Sequence, residues 1–369
     1  MTRALREIDP SIELDVVTTL PNRYNSFCLD APVIEEWDGV TIHRIELPAH
    51  KSGMWDQSLA FWSYASQARN MARNSQYDLV IATSSRLMTA VLGAWVASQQ
   101  RAPLYLDIRD IFVDTIRDVL PRCSALLAKP LFAALERWAV KQANKVNLVS
   151  RGFAGYFEDR YPRQRFSYFT NGIDDEFLTS QPEEQQEPKH SLPLRVVYAG
   201  NIGEGQGLHA ILPELGKRLE GRVNFRVIGD GGRKDLLRTG LDSAGVTNVA
   251  LLPPMSRDQL IEEYKQADVL FLHLNDYDAF KKVLPSKVFE YAAMGKPIWA
   301  GIPGYSAEFV RTEISNAAVF PPCNAVAAEQ VLVTLAIRDA PRCDFVKKFS
   351  RVNICRDLAK DILTLVRQR

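Results

Sequence analysis

Short apolar runs alternate with helix-compatible stretches along the chain, and this alternation is the feature that most constrains its fold. In the first half, the runs at residues 14–18, 79–83 and 104–108 are rich in apolar or β-branched side chains, and stretches of helical period separate them. Strands separated by helices of this length pair in parallel through helical crossovers. We therefore predict an α/β chain with doubly wound, Rossmann-like sheets.

The alternation is interrupted once, at residues 179–191. This segment reads TSQPEEQQEPKHS, with two prolines and no aliphatic residue, which is typical of an exposed linker. Beyond it the strand-like runs restart, and a length of 369 residues agrees with two domains of about 100 to 200 residues each. The apolar stripe of the last helix does not indicate which domain receives that helix. The predicted division is an N-terminal domain over 1–182, a linker over 183–191, a C-terminal domain over 192–350 and a closing helix over 351–369.

Two doubly wound domains predict a cleft, because ligands in open α/β sheets bind beyond the carboxyl ends of the strands. The balance of 45 Lys and Arg against 44 Asp and Glu argues against nucleic-acid binding driven by bulk charge. The five cysteines contain no C-x-x-C and suit reduced thiols in a cytosol. No apolar stretch reaches the roughly 20 residues that span a bilayer, and no secretory signal opens the chain. We expect a cytoplasmic protein.

The first candidate site follows the first strand of the second half. Residues 196–208 read VVYAGNIGEGQGL, so a strand leads through four glycines into a helix. Gly205, Gly207 and Ala210 satisfy the dinucleotide fingerprint G-x-G-x-x-A, but the strand ends near Ala199, too early for that motif. A plain tight turn is another alternative. We favour a phosphate-binding loop, because glycines let backbone N–H groups approach a phosphate at a helix N-terminus. We call residues 200–207 the first glycine loop.

A second strand, turn and helix follow in VIGDGGRKDLL, residues 227–237. Arg233 and Lys234 fall in the first helical turn, where cations oppose the helix dipole. An anion nearby would explain them, and Arg233 is the better candidate because it lies closer to the loop. For Lys234 a solvated surface charge is an equal alternative. We call residues 229–232 the second glycine loop.

The most specific motif is LPSKVFEYAAMGKP, residues 284–297. Pro285 and Ser286 begin a helix, so Lys287 and Glu290 lie three apart on one face. A carboxylate only accepts hydrogen bonds, so Glu290 could take both hydroxyl protons of a ribose diol while Lys287 faces phosphate. The alternative is an ordinary ion pair within the helix.

These motifs and TNGID at 170–174 together resemble the retaining glycosyltransferases of the GT-B fold, glycosyltransferase family 4. The segment DIRDIFVDTIRD at 107–118, with LPSKVFEY, resembles the bacterial O-antigen and capsular polysaccharide transferases, in particular the L-fucosamine transferase subgroup. The resemblance covers nearly the whole chain and is strongest over 194–320. It implies that the second domain binds a nucleotide-sugar donor, that the first binds the acceptor, and that neither a metal nor another cofactor is needed.

On this resemblance Glu290 holds the ribose, and the first glycine loop, Arg233 and Lys287 face the diphosphate. The residues implied in donor binding are Gly200, Asn201, Gly203, Gln206, Gly207, Gly229, Asp230, Gly231, Arg233, Ser286, Lys287 and Glu290. On the acceptor side they are Arg109, Asp110 and Asn171, and the implied catalytic residues are Asp110, Arg233 and Lys287.

The sequence also departs from the family pattern. Lys282 stands where the first glutamate of E-x7-E is usual, and Asn201 and Gln206 stand where many relatives have Arg and Lys. The compensating positive charge is then expected from Arg233, Lys287, Lys281 or Lys282. The chain also opens with TRALREIDPSIELDVVT, the end of a first helix and a second strand. We therefore expect a first domain without its first strand, with a gap in its sheet, and we expect a translation start further upstream.

Two further features have competing interpretations. Residues 124–142 form an apolar helix with Lys129, Arg137 and Lys141, which suits either an anionic lipid surface or an ordinary crossover helix. Asp276 and Asp278 form a D-x-D after a strand, but the motifs beside them belong to a metal-independent fold. The five histidines show no metal spacing, and we assign His273 to packing.

We predict a hexosyl- or N-acetylhexosaminyltransferase, cytoplasmic or peripheral on the inner membrane, that acts with retention in surface polysaccharide synthesis. The expected donor is UDP-linked and carries an N-acetylated or deoxy amino sugar, and the expected acceptor is a lipid-linked saccharide. One alternative is a sugar-nucleotide epimerase of the same fold, which would need acidic and histidine groups in the cleft. The other is a non-catalytic remnant that binds nucleotide-sugar.

Overall fold

The structure is a computed structural model, and it confirms the α/β class. The predicted linker over 183–191 lies outside the residues that it describes. Those residues are 1–20, 31–47, 54–84, 86–111, 122–178 and 192–366, with side chains omitted at 54–57 and 122–128.

The chain divides into two compact units. The first unit comprises Met1–Leu148, Glu158–Ser167 and Cys355–Arg369, and the second comprises Val149–Phe157 and Tyr168–Ile354. This grouping differs from the predicted N-terminal domain over 1–182 at two places, residues 149–157 and 168–178, which group with the second unit. The reason is physical: Phe177 is fully buried in the core of the second unit, where its ring stacks on Tyr264 with the centroids 6.3 Å apart.

The described strands of the first unit form two separate sheets. Strands β1 (Leu14–Thr19), β3 (Val40–Ile45) and β2 (Ile34–Trp37) lie side by side in that order, with β1 parallel and β2 antiparallel to β3. The other sheet is parallel, in the order β4 (Val80–Ser84), β5 (Leu104–Ile108), β6 (Lys145–Leu148) and β7 (Phe166–Ser167). Among the residues that the structure describes, β1 and β4 are therefore each at the edge of a sheet, as the predicted gap between them requires.

The described strands of the second unit form one six-stranded parallel sheet. Its order is β10-β9-β8-β11-β12-β13, so β8 is a central strand. Every residue of β11 and β12 is buried, as expected for apolar strands covered on both faces. The strands are β8 (Leu194–Ala199), β9 (Val223–Ile228), β10 (Val249–Leu252), β11 (Val269–His273), β12 (Ile298–Gly301) and β13 (Ala317–Phe320).

Helices connect and cover the strands. Before residue 179 they are α1 (Thr2–Ile8), α2 (Met54–Arg73), α3 (Leu87–Gln100), α4 (Arg122–Gln142), α5 (Ala154–Arg160) and α6 (Asp175–Leu178). From residue 192 they are α7 (Leu208–Arg218), α8 (Lys234–Ser243), α9 (Arg257–Gln266), α10 (Lys287–Ala293), α11 (Gly304–Glu313), α12 (Ala325–Thr334), α13 (Cys343–Phe349) and α14 (Arg351–Leu363).

The closing helix α14 contributes to the first unit from Cys355 onward. Its Asp361 carboxylate accepts hydrogen bonds from the Tyr105 hydroxyl at 2.9 Å and the Ser167 hydroxyl at 2.7 Å, and it pairs with Lys145. The apolar stripe left open which domain receives this helix, and the hydrogen bonds of Asp361, which lies on the same face as the stripe, show that it packs on the first unit.

Candidate functional site

The two glycine loops pack directly on each other at the carboxyl ends of β8 and β9. The Ile202 amide donates to the Asp230 carbonyl at 2.8 Å, and the Arg233 amide donates to the Ile202 carbonyl at 2.9 Å. A Cβ on Gly229, whose φ is +151°, would overlap the Gly200 carbonyl oxygen. The second glycine loop is therefore glycine-rich because two backbones approach closely there.

The first glycine loop is closed by its own side chains. Asn201 donates to the Gln206 side-chain oxygen at 2.8 Å, and the same oxygen accepts from the Gly203 amide at 3.3 Å. Gly207 then adopts φ +60° and precedes α7. Asn201 and Gln206, which we predicted to bind the donor, thus also bond to each other and hold the loop in shape.

Helix α10 brings the predicted cation and carboxylate to this loop. The β8 amide of Ala199 donates to the Tyr291 hydroxyl at 3.1 Å, and a Cβ on Gly200 would lie 3.6 Å from Cε of Lys287. Lys287 Nζ lies 2.8 Å from a Glu290 oxygen, and the two side chains are 25% and 14% exposed. The i,i+3 ion pair is therefore formed, and it lies beside the first glycine loop.

Two buried tyrosines support this pair. Tyr264 and Tyr291 pack edge to face with their centroids 5.3 Å apart, and Lys287 donates to the Tyr264 hydroxyl at 3.3 Å. Burial raises the pKa of Tyr264, so this hydroxyl stays neutral and accepts from the ammonium. The exposed Ser286 is the N-cap residue of α10.

Arg257 is a member of this cluster that the sequence analysis missed. One guanidinium nitrogen lies 4.0 Å from Glu290, another donates to Asp174 at 3.1 Å, and the group lies 5.0 Å from the Phe177 ring centroid. The Glu290 carboxylate therefore lies between two cations. Arg257 opens α9 directly after the β10 loop, and its position at a strand-to-helix loop is the signal that could have identified it.

Arg233 and Lys234, the two cations that follow the second glycine loop, have partners that we did not predict. Arg233 pairs with Glu204 of the first glycine loop, and Tyr277 donates to the same carboxylate. The Tyr277 hydroxyl first, and then Arg233, lower the pKa of Glu204. Lys234 is not a solvated surface charge, since its side chain is 20% exposed and donates to the Gly229 carbonyl at 3.1 Å. The Glu204 carboxylate is thus an anion that accounts for the cation at Arg233.

The other basic candidates also have partners. Lys281 pairs with Asp278 at 2.6 Å, and Lys282 Nζ lies 5.2 Å from the Tyr156 ring centroid. Asp278 of the D-x-D is thereby engaged by a lysine one turn away. Among the described residues, no group of three or more His, Cys, Asp or Glu side chains could hold a metal ion.

Two of the three acceptor-side candidates belong to the first unit. Arg109 and Asp110 follow β5 in the first unit, where Arg109 Nε lies 2.9 Å from the buried Asp107. Asn147 donates to the other Asp107 oxygen at 2.8 Å. Burial raises the pKa of Asp110, whose carboxylate accepts from the Ile111 amide at 2.8 Å. Asn171 lies in the second unit, on the coil before α6.

Two family models match successive parts of the chain. Residues 2–172 match the glycosyl transferase 4-like domain, and residues 180–348 match the glycosyl transferases group 1.

Individual relatives either match a short part of the chain or share few identical residues with it. The chain is 32% identical over 100 residues to the putative colanic acid biosynthesis glycosyl transferase WcaI of Escherichia coli K12, a match covering 27% of this chain and only 24% of that protein. Anabaena Alr3699/HepE, solved with UDP-glucose, aligns with a TM-score of 0.64 and 16% identity over 88% of this chain and 85% of that one. WaaG, a glycosyltransferase involved in lipopolysaccharide biosynthesis, aligns with a TM-score of 0.58 and 14% identity over 89% and 85%. These structural likenesses show the GT-B fold.

Proposed function

The chain belongs to the family 4 and group 1 superfamily of GT-B glycosyltransferases, and from this premise we propose that it transfers a sugar from a nucleoside diphosphate donor with retention of configuration. The observation that carries the proposal is the Lys287–Glu290 pair beside the first glycine loop. A half-buried carboxylate next to an ammonium and a helix N-terminus can hold a ribose diol and a diphosphate together.

In this mechanism the protein stabilises the departing nucleoside diphosphate. Lys287 and the backbone at the start of α7 offset the charge that develops on the leaving phosphate. Arg233 joins them by exchanging Glu204 for phosphate, since its side chain is 46% exposed and reaches the first glycine loop. The acceptor hydroxyl attacks on the face that the phosphate leaves, and it loses its proton to that phosphate.

The finer assignment is a UDP-linked N-acetylated or deoxy amino sugar and a lipid-linked saccharide acceptor in surface polysaccharide synthesis. Alr3699/HepE supports the donor class, since that protein was solved in complex with UDP-glucose. WcaI supports the pathway class, since its name places it in colanic acid biosynthesis.

We test the donor site with UDP binding by calorimetry on wild type and Glu290→Ala. A carboxylate that holds the ribose contributes charge-assisted hydrogen bonds, so Glu290→Ala should raise the Kd for UDP at least about tenfold. Glu262→Ala is the matched control, because Glu262 forms a 2.7 Å i,i+3 pair with Lys265 on α9. The control should stay within about twofold of wild type. Equal affinities for wild type and Glu290→Ala would overturn the assignment.

The reaction is tested by supplying UDP-sugars and a lipid-linked saccharide and following the anomeric proton of the product by NMR. Retention of the donor configuration is the expected result. A changed nucleotide-sugar formed without acceptor would instead indicate the epimerase, and UDP binding without transfer would indicate the non-catalytic remnant.

We also propose that α4 docks on an anionic membrane surface. Its buried side packs as a crossover helix, since Glu136 accepts from the Tyr161 hydroxyl at 3.0 Å. Its other side exposes Arg137, Lys141 and Leu131, the last 61% exposed. Among the described residues no helix is long and apolar enough to cross a bilayer. Wild type should sediment with phosphatidylglycerol vesicles, and Leu131→Glu with Arg137→Glu should not. Equal sedimentation of the two proteins would contradict the docking.

A further inference from the structure

His273, the last residue of β11, is 1% exposed and bonded through both ring nitrogens. Nδ1 lies 2.7 Å from the Gln206 carbonyl oxygen, and Nε2 lies 3.0 Å from the Cys323 amide nitrogen. A backbone amide can only donate, so Nε2 accepts and Nδ1 carries the proton and donates. Burial lowers the pKa of His273 to about 4, which keeps this neutral form at neutral pH.

The surroundings of His273 are arranged to admit an imidazole. On the neighbouring strand β12, a Cβ on Gly301 would overlap its Cδ2 atom. Its ring lies parallel to that of Phe271, with the centroids 6.0 Å apart. The amide that reaches Nε2 belongs to Cys323, which holds φ at +56°, an uncommon value for a residue other than glycine. An apolar side chain could fill the same space, but it could not bond to the Gln206 carbonyl and the Cys323 amide.

His273 and Asn275 together hold three successive carbonyl oxygens of the first glycine loop. The Asn275 side-chain amide donates to the Glu204 carbonyl at 2.9 Å, and the Asn275 backbone amide donates to the Gly205 carbonyl at 2.8 Å. His273 holds the third, that of Gln206. All three acceptors are thereby drawn to the end of β11.

The third carbonyl is the one next to the start of α7, whose N-cap residue is Gly207. It belongs to the peptide between Gln206 and Gly207, and glycine tolerates the backbone angles on either side of a peptide rotation. Rotation would carry the oxygen away from β11 and toward the start of α7, where a phosphate needs N–H donors and would be repelled by a carbonyl. We infer that His273 is a positioning residue of the donor site, which keeps the Gln206 carbonyl turned away from the diphosphate. This role rests on the proposed function.

Two substitutions separate the two hydrogen bonds of the ring. His273→Asn places an N–H near the position of Nδ1 and so retains the bond to Gln206, whereas the terminal amide of His273→Gln reaches the position of Nε2 and retains the bond to Cys323. Each variant loses one buried hydrogen bond, so both should lower Tm by similar amounts. Only His273→Gln should raise the Kd for UDP, by about tenfold, and His273→Asn should stay within about threefold of wild type.

Equal UDP affinities for the two variants, or weaker binding by His273→Asn, would overturn the positioning role. If they bind equally while Glu290→Ala loses binding, the donor site stands and the role of His273 falls alone. If wild type binds neither UDP nor GDP, the proposed function falls and this role falls with it. Nitrogen-15 NMR of wild type provides a test that requires no variant: His273 should show a protonated Nδ1 at pH 7, and a protonated Nε2 would overturn the inference.

Discussion

The two units are encoded by the same alternation of strands and helices, but their sheets differ in continuity. In the second unit β8 is central, and the loop that leaves it is held on one side by the second glycine loop and on the other by the end of β11. In the first unit β1 and β4 are edge strands, and no residue of β1 is buried. A loop held from both sides can present a fixed backbone to a ligand.

The largest expected difference between the units is the loss of stability when a tryptophan is replaced by alanine. Trp299 is fully buried, packs against Phe271 at 5.0 Å between centroids, and donates to the Ala328 carbonyl at 3.1 Å. Trp299→Ala should lower the free energy of unfolding of the second unit by about 3 to 5 kcal/mol, because it opens a cavity and leaves an acceptor unpaired. Trp62→Ala, on the 74% exposed Trp62 of the first unit, should stay within about 0.5 kcal/mol.

Urea unfolding followed by circular dichroism measures both Trp variants. A loss for Trp62→Ala as large as that for Trp299→Ala would remove the contrast between a continuous core and an exposed helix face.

The two units should also differ, by a smaller amount, in how their stability depends on pH. His273 has a folded pKa of about 4, below its unfolded value of 6.5, so the unfolded state binds more protons between these values and acid destabilises the second unit. The loss should be about 2 kcal/mol between pH 7 and about pH 5. Burial raises the pKa of Asp110 in the first unit, and a raised carboxyl pKa has the opposite sign: its stability contribution grows as pH falls.

Hydrogen exchange of the two units at pH 7 and pH 5 checks these signs. His273→Asn should flatten the acid response of the second unit and leave that of the first unit unchanged. An unchanged response in the second unit of that variant would show that another group titrates.

The sequence predicted the features that depend on residues close together in the chain. The alternation of strands and helices identified the α/β class of both units. The spacing of Lys287 and Glu290 identified their ion pair, because helical period acts over a few residues. Arg257 and Asp174 meet across 83 positions of sequence, and no periodicity connects them. For the same reason the pairing of Arg233 with Glu204, 29 positions apart, was not foreseen.

His273 shows a second limit of prediction from the sequence. Its position in an apolar strand indicated packing, and it is indeed buried. Its proposed positioning role depends on hydrogen bonds with Gln206 and Cys323, which lie 67 and 50 positions away in the chain. Burial could be predicted from the pattern of the strand itself, whereas the partners depend on how three separate loops meet.

The contact between the two glycine loops has a consequence for protein engineering. Because a Cβ on Gly229 would overlap the Gly200 carbonyl, the loops form a single building block rather than two independent segments. A chimera that imports a relative's first glycine loop must import the second one with it. Directed-evolution libraries for new donors should therefore hold Gly200 and Gly229 constant and vary the side chains that surround them.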